Sequence, residues 1–254
     1  MKVLESYEEA LMNISPKEWP AYLKEHAFIS GNKFNTELAE TFALVGTVLD
    51  FKKFIGIDHL EGPTGTSESF LTYCGVLGYG RYLSKYYDHG LFMQLRQRAN
   101  DPRLEISQGV VKALQYIAKK KFDKLLLYTD DWKNGTPLEQ CACIGAVCNA
   151  KVLSSRTQAE SAIELLDWVT ATFFDKPIVS GDYLILQEQL IESWKVAASR
   201  NPEKAQRMIE RWIKEEDATI NSIMEKIITS NYMQKIDSEW ADRWLDNLNN
   251  KYRA

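Results

Sequence analysis

The chain has 254 residues, 45% of them apolar, and a formal net charge of −4 at pH 7. That length builds one large domain or two small ones around a substantial core, and the acidic balance excludes a global basic field for holding nucleic acid. No run approaches the ~18 apolar residues of a membrane-spanning helix, and no apolar leader follows Met1-Lys2, where Glu5, Glu8 and Glu9 arrive at once; a soluble, cytoplasmic protein is expected.

Helical periodicity dominates, and no alternating strand pattern stands out. Ser15-Pro16-Lys17-Glu18 reads as a helix start, with Ser as cap, Pro at the first position and Glu reaching back. Asn35-Thr36-Glu37 opens the next helix, carrying Leu38, Phe42, Val45 and Val48. Residues 56–65 form the clearest loop, with Gly56, Gly62, Pro63 and Gly65. Ser67 is predicted to cap a long helix through Tyr87; His89-Gly90 breaks it, and Leu91 to Asn100 forms a short one.

A repeating region follows. Helix 103–118 carries Ile106, Val110, Ala113, Leu114 and Ile117 as one stripe. Helix 122–133 carries Phe122, Leu125, Leu126, Thr129 and Trp132, and helix 137–149 a stripe of small residues that lets its neighbours approach closely. Leu114 and Val147, equivalent ends of two such runs, are 33 positions apart. Helix–turn–helix units at a period of a few tens of residues mark a helical solenoid. Beyond them, Ala159 to Phe173 forms one helix, ended by Lys176-Pro177 and Ser180-Gly181, the best place for a flexible joint. Leu186 to Ala197, Ala205 to Trp212 after Asn201-Pro202, and Ile220 to Ile227 after Asp217 form three more, and Trp240, Trp244 and Leu248 belong to a last helix that caps the array.

Four segments carry a family likeness: Ser67 to Arg81, Asn100 to Leu114, Pro137 to Gln140 and Ser193 to Ala197. With Asp101-Pro102-Arg103 before an Ala/Val-rich helix, they resemble a bacterial HEAT-repeat (armadillo-type α-solenoid) family of unassigned function. The resemblance implies an all-α, right-handed solenoid of stacked antiparallel helix pairs, about five to seven of them by the length per repeat. It further implies a single domain over 1–254, with N-terminal cap helices and loop in 1–66, HEAT-like repeats in 67–230 and a capping helix in 231–254. The chain departs from the pattern where Glu105-Ile106-Ser107 replaces the usual Val-Arg, and where Asn221 to Glu225 replaces a basic stretch. Those losses count against an inherited nucleic-acid role.

The candidate chemistry is sparse. Gly75, Gly78 and Gly80 lack the preceding strand of a phosphate loop, so they read as a site of close helix approach. Cys74, Cys141, Cys143 and Cys148 suit reduced, buried thiols, and with His26, His59 and His89 they show no metal spacing. His59 reads as a solvated loop histidine. No metal and no cofactor is expected. Asp130, Asp131 and Trp132 are the candidate catalytic group, because the resemblance extends to HEAT-like DNA glycosylases that use an aspartate and tryptophans in a basic groove. Arg96, Arg98, Arg103, Trp132 and Trp168 are the matching binding candidates. Trp132 also falls on its helix's apolar stripe, where core packing is the default. The leading expectation is a non-enzymatic scaffold that presents a concave helical surface to a protein or peptide. The alternatives are a HEAT-like DNA-binding protein or alkylpurine DNA glycosylase, and a small-molecule pocket near the 56–65 loop.

Overall fold

The computed structural model describes residues 6–174, 181–215 and 217–251. The protein is helical: fourteen α-helices and one two-stranded hairpin occur among the described residues. Main-chain contacts gather into two compact units, Met1–Lys121 and Phe122–Ala254. The boundary falls inside helix α7, Leu104–Tyr128, at Lys121, whose backbone leaves helical geometry (φ −146°, ψ 59°). The predicted helices 103–118 and 122–133 meet at this bend. The predicted joint at 176–180 lies outside the described residues.

The first unit opens with α1, Tyr7–Asn13, and α2, Trp19–Glu25. The predicted start at Ser15 comes too early: residues 16–18 form a turn, although Glu18 does reach back to the Ser15 N–H at 2.9 Å. A hairpin that sequence patterning missed follows, with β1 at Phe28–Ser30 and β2 at Lys33–Phe34. Gly31 (φ 53°) supplies the left-handed turn between them. Helix α3, Thr36–Val45, is capped by Asn35 as expected, its Oδ1 accepting the Leu38 N–H at 3.1 Å. The chain then breaks at Gly46-Thr47, so Val48 belongs to a separate helix, α4, Val48–Ile55. Helix α5, Ser67–Lys85, is capped by Thr66, one residue before the expected Ser67; α6, His89–Ala99, starts at the predicted breaker, with Asp88 as its cap.

The three glycines of α5 are packing residues. A Cβ on Gly75 would lie 2.6 Å from the Ile55 N, and one on Gly78 would enter the Phe51 ring. On Gly80 it would stand 2.4 Å from Ala113 Cα and 2.6 Å from Ala113 O. Helix α5 thus meets the backbone of α4 at Gly75 and of α7 at Gly80, and the Phe51 ring at Gly78, and its middle is buried on every face. This contact resolves an apparent conflict, since each glycine costs a helix about 1 kcal/mol relative to alanine.

The second unit continues with a 3-10 turn over Asp130–Asn134 and α8, Pro137–Val147, which is buried from Glu139 onward. Around it lie α9, Arg156–Ala171, and α10, Gly181–Arg200. Then come α11, Pro202–Lys214, α12, Ala218–Ile228, a short unpredicted α13, Asn231–Ile236, and α14, Ser238–Lys251. The main helix contacts here join elements near in chain order: α8, α9, α11 and α12 all meet α10, and α14 packs on α11, α12 and α13.

Gly80→Ala tests the close approach. Because the atoms it meets are backbone and cannot swing away, the substitution should cost about 1–3 kcal/mol. Urea unfolding should report this as a lower midpoint at unchanged slope; an unchanged midpoint would show that α5 and α7 separate freely.

Candidate functional site

The residues proposed from sequence as a catalytic and nucleic-acid group are divided between the two units, Arg96, Arg98 and Arg103 in the first and Asp130, Asp131, Trp132 and Trp168 in the second. Trp132 is 1% exposed and packs in the core, so it has no face to stack on a base. Asp131 is exposed but does not line the cavity that Asp130 and Trp168 share with Leu126, Lys133, Ser161 and Glu164. In that cavity Asp130 is already neutralised by Lys133, whose ammonium sits 4.9 Å from the centre of the Trp168 ring. The Trp168 indole N–H donates to Asn134 Oδ1 at 3.0 Å.

The arginines correct the expectation more sharply. Arg103 is 1% exposed. Its Nε donates to Asp101 Oδ1 at 2.7 Å and its Nη2 to Asp101 Oδ2 at 2.8 Å. Its remaining donors reach the carbonyls of Ile57 (3.1 Å), Asp58 (3.2 Å) and Gly62 (2.7 Å), and Thr72 Oγ1 (3.3 Å). Arg98 donates to Asp101 Oδ2 at 2.8 Å and to the Ile55 carbonyl. Arg98 and Arg103 are therefore internal ties and cannot grip phosphate; Arg96 is half-buried and also engaged. Asp101 does not cap α7, which begins at Leu104. Burial works to raise its pKa, but hydrogen bonds and charge from Arg103, with Arg98, outweigh it and hold the carboxyl below the usual range.

These ties shape the 57–65 loop. Asp58 Oδ1 accepts the N–H groups of Leu60 (2.8 Å) and Glu61 (2.9 Å), bonds that lower its pKa. Gly65 takes a left-handed conformation (φ 74°), and its N–H donates to Glu105 Oε1 at 3.1 Å. Beside this end of the loop lies a cavity of about 300 Å³ lined by Asn32, Lys33, Phe34, Thr36, Thr64, Gly65, Tyr73, Glu105 and Gln108. Phe34 and Tyr73, with ring centroids 5.5 Å apart, form its aromatic floor, and Phe70 meets Phe34 edge-on behind it. Tyr73 is 7% exposed, and burial, reinforced by neighbouring Tyr116, Cys74 and Glu40, raises its pKa, so the phenol stays protonated. Among the described residues its hydroxyl has no hydrogen-bond partner, and neither Lys33 nor Glu105 forms an ion pair. Sequence reasoning missed Lys33, Phe34, Tyr73 and Gln108. The Gly31-Asn32 pair between Phe28-Ile29 and Phe34 is the signal for the hairpin that carries the first two.

The remaining candidates stay structural. All four thiols are buried; burial raises those of Cys74 and Cys148 well above the ordinary value and pushes Cys141 up to about 12, so they are poor nucleophiles. Among the described residues no group of His, Cys, Asp and Glu has the arrangement of a metal site. His59 is exposed and does not line the cavity. No helix of the described residues is long and apolar enough to cross a membrane. Comparison of the chain with family models, with curated proteins and with solved structures returns no match.

The Asp101–Arg103 pair has a pH signature. The depressed carboxyl contributes stability that is complete above its unfolded pKa, near 3.8, and is lost as pH falls through the lower folded value. Urea midpoints should therefore fall on acidification more steeply in the wild type than in Asp101→Asn. Asp101→Ala leaves a buried guanidinium uncompensated and should cost about 3–5 kcal/mol at neutral pH. Parallel pH curves for the wild type and Asp101→Asn would remove Asp101 from the account.

Proposed function

We propose that the protein binds a small polar molecule in the cavity beside the 57–65 loop. One observation carries this reading. Asn32, Lys33, Thr36, Glu105 and Gln108 surround an aromatic floor of Phe34 and Tyr73 in one concavity. An apolar base with a few convergent polar groups is the usual composition of a ligand pocket, and its volume falls at the small end of that class. The loop that borders the cavity is tied down by Arg103, so little ordering entropy opposes binding. A fragment panel screened by thermal shift tests the proposal. A compound at a hundred times its Kd stabilises the fold by about 2.7 kcal/mol. Thr36→Trp, at an exposed position on the cavity wall, should abolish that gain without lowering the melting temperature of the free protein. The reading fails if no fragment at millimolar concentration distinguishes the two proteins.

A scaffold role is the second reading, supported by a separate surface of the first unit. Leu44 and Tyr86 are exposed and border a depression with Val48, Arg81, Tyr82 and Lys85. An apolar strip flanked by two cations fits an acidic, amphipathic peptide. In the second unit, packing between helices close in chain order supports the HEAT-like, armadillo-type repeat reading, in which each repeat meets its neighbours. Selection from a random peptide library should enrich acidic sequences with apolar anchors whose binding is lost in Leu44→Asp. Enrichment of sequences indifferent to that substitution would exclude this surface.

A further inference from the structure

Resting on the ligand-binding reading above, we infer that the cavity takes a small zwitterion with an apolar body, the chemistry of a free amino acid with an aromatic or branched side chain. The argument is electrostatic. Lys33 and Glu105 line the same cavity, and among the described residues neither is ion-paired, with the other or with anything else. By contrast, the Asp101 carboxylate is paired with Arg98 and Arg103, Glu68 with Lys24, and Glu40 with Lys112. Two opposite charges left unmatched on one concave surface call for a ligand that carries both.

Other ligand classes satisfy only half of the site. A phosphate or polycarboxylate would meet Lys33 but be repelled by the Glu105 carboxylate. The Gly65 N–H at this end of the loop is already given to Glu105. A simple amine would suit Glu105 and be repelled by Lys33. A neutral ring would fill the floor and leave both charges unanswered. A zwitterion sets its ammonium on Glu105 and its carboxylate on Lys33, within reach of the amides of Asn32 and Gln108. Its side chain lies on Phe34 and Tyr73, whose unpartnered hydroxyl is a further donor. The Gly65–Glu105 bond leaves Glu105 Oε2 to receive the ammonium. A volume of about 300 Å³ admits such a molecule and excludes a dinucleotide.

Calorimetric titration of the full chain with L-phenylalanine and L-leucine tests the inference, alongside L-phenylalaninamide, N-acetyl-L-phenylalanine and the doubly blocked N-acetyl-L-phenylalaninamide. The free amino acids should bind, and blocking either end should weaken binding by about tenfold or more. Lys33→Met should erase the preference for phenylalanine over its amide, and Glu105→Gln the preference over the N-acetyl form. The amide oxygen that Glu105→Gln introduces can still accept the Gly65 N–H, so the loop should keep its place. If the doubly blocked compound binds as tightly as phenylalanine, or if only unrelated neutral fragments bind, the zwitterion assignment is overturned and the ligand-binding reading stands. If no amino acid, derivative or fragment binds in a Thr36-dependent way, both fall.

Discussion

A single buried guanidinium orders the irregular part of the first unit. The loop from Ile57 to Gly62 makes one internal backbone bond, from the Gly62 N–H to the Asp58 carbonyl at 2.9 Å, so further donors must come from elsewhere. Arg103 supplies them: its planar fork has five N–H donors, enough to hold Asp101 and reach three loop carbonyls at once. Asp101 is the necessary counterpart, because an unpaired charge at this depth would cost several kcal/mol. Two residues along the same segment, Glu105 receives the Gly65 N–H. One short stretch of chain therefore fixes the loop at both ends and supplies one wall of the cavity.

What could be read in the sequence was the part that depends on near neighbours. The caps Asn35, Thr136, Asn201 and Asp217 each act on a backbone N–H three residues ahead, and such signals survive without tertiary information. The α5 glycines were also legible, because three glycines in a helical pattern demand a packing reason; that Phe51 and Ala113 supply it was not. The break at Gly46-Thr47 was hidden because Val48 keeps the helical period of Val45. The hairpin was hidden by its brevity: five strand residues hold no alternation to detect. It is stabilised by Phe34 packing on Phe70 and Tyr73, contacts made across more than thirty positions of sequence.

The arginines show why a charge read from sequence is a weak guide to a binding surface. Arg96, Arg98 and Arg103 are close in the chain and look like a basic patch. Folding turns two of them inward, where they share the Asp101 carboxylate and donate to backbone carbonyls, and engages the third. What remains informative is the charge that folding leaves unmatched, and that can be found only after the internal pairs have been identified. Applied to the residues that line the cavity, that criterion moves attention from the arginines to Lys33 and Glu105, which are 72 positions apart in the chain and had no visible connection.

The tryptophans follow the same logic. Seven in one chain invite the idea of an aromatic platform for bases, yet the indole N–H groups of six of them tie chain segments together. Trp19 donates to the Leu11 carbonyl, Trp194 to Thr170 and Trp212 to Asp167. Trp240 and Trp244 both donate to Glu210, which docks α14 on α11. A buried indole combines a large apolar area with one obligatory donor, so each such pair fixes both the depth and the rotation of a helix against its neighbour. Even Trp168, 50% exposed, is held by Asn134 and carries Lys133 over its ring. Stacking a base there would first require displacing that ammonium, and the Asp130–Lys133 pair would be broken with it. The tryptophans of the second unit are thus accounted for by packing and by these indole bonds, whereas the Phe34–Tyr73 floor of the first borders an open cavity.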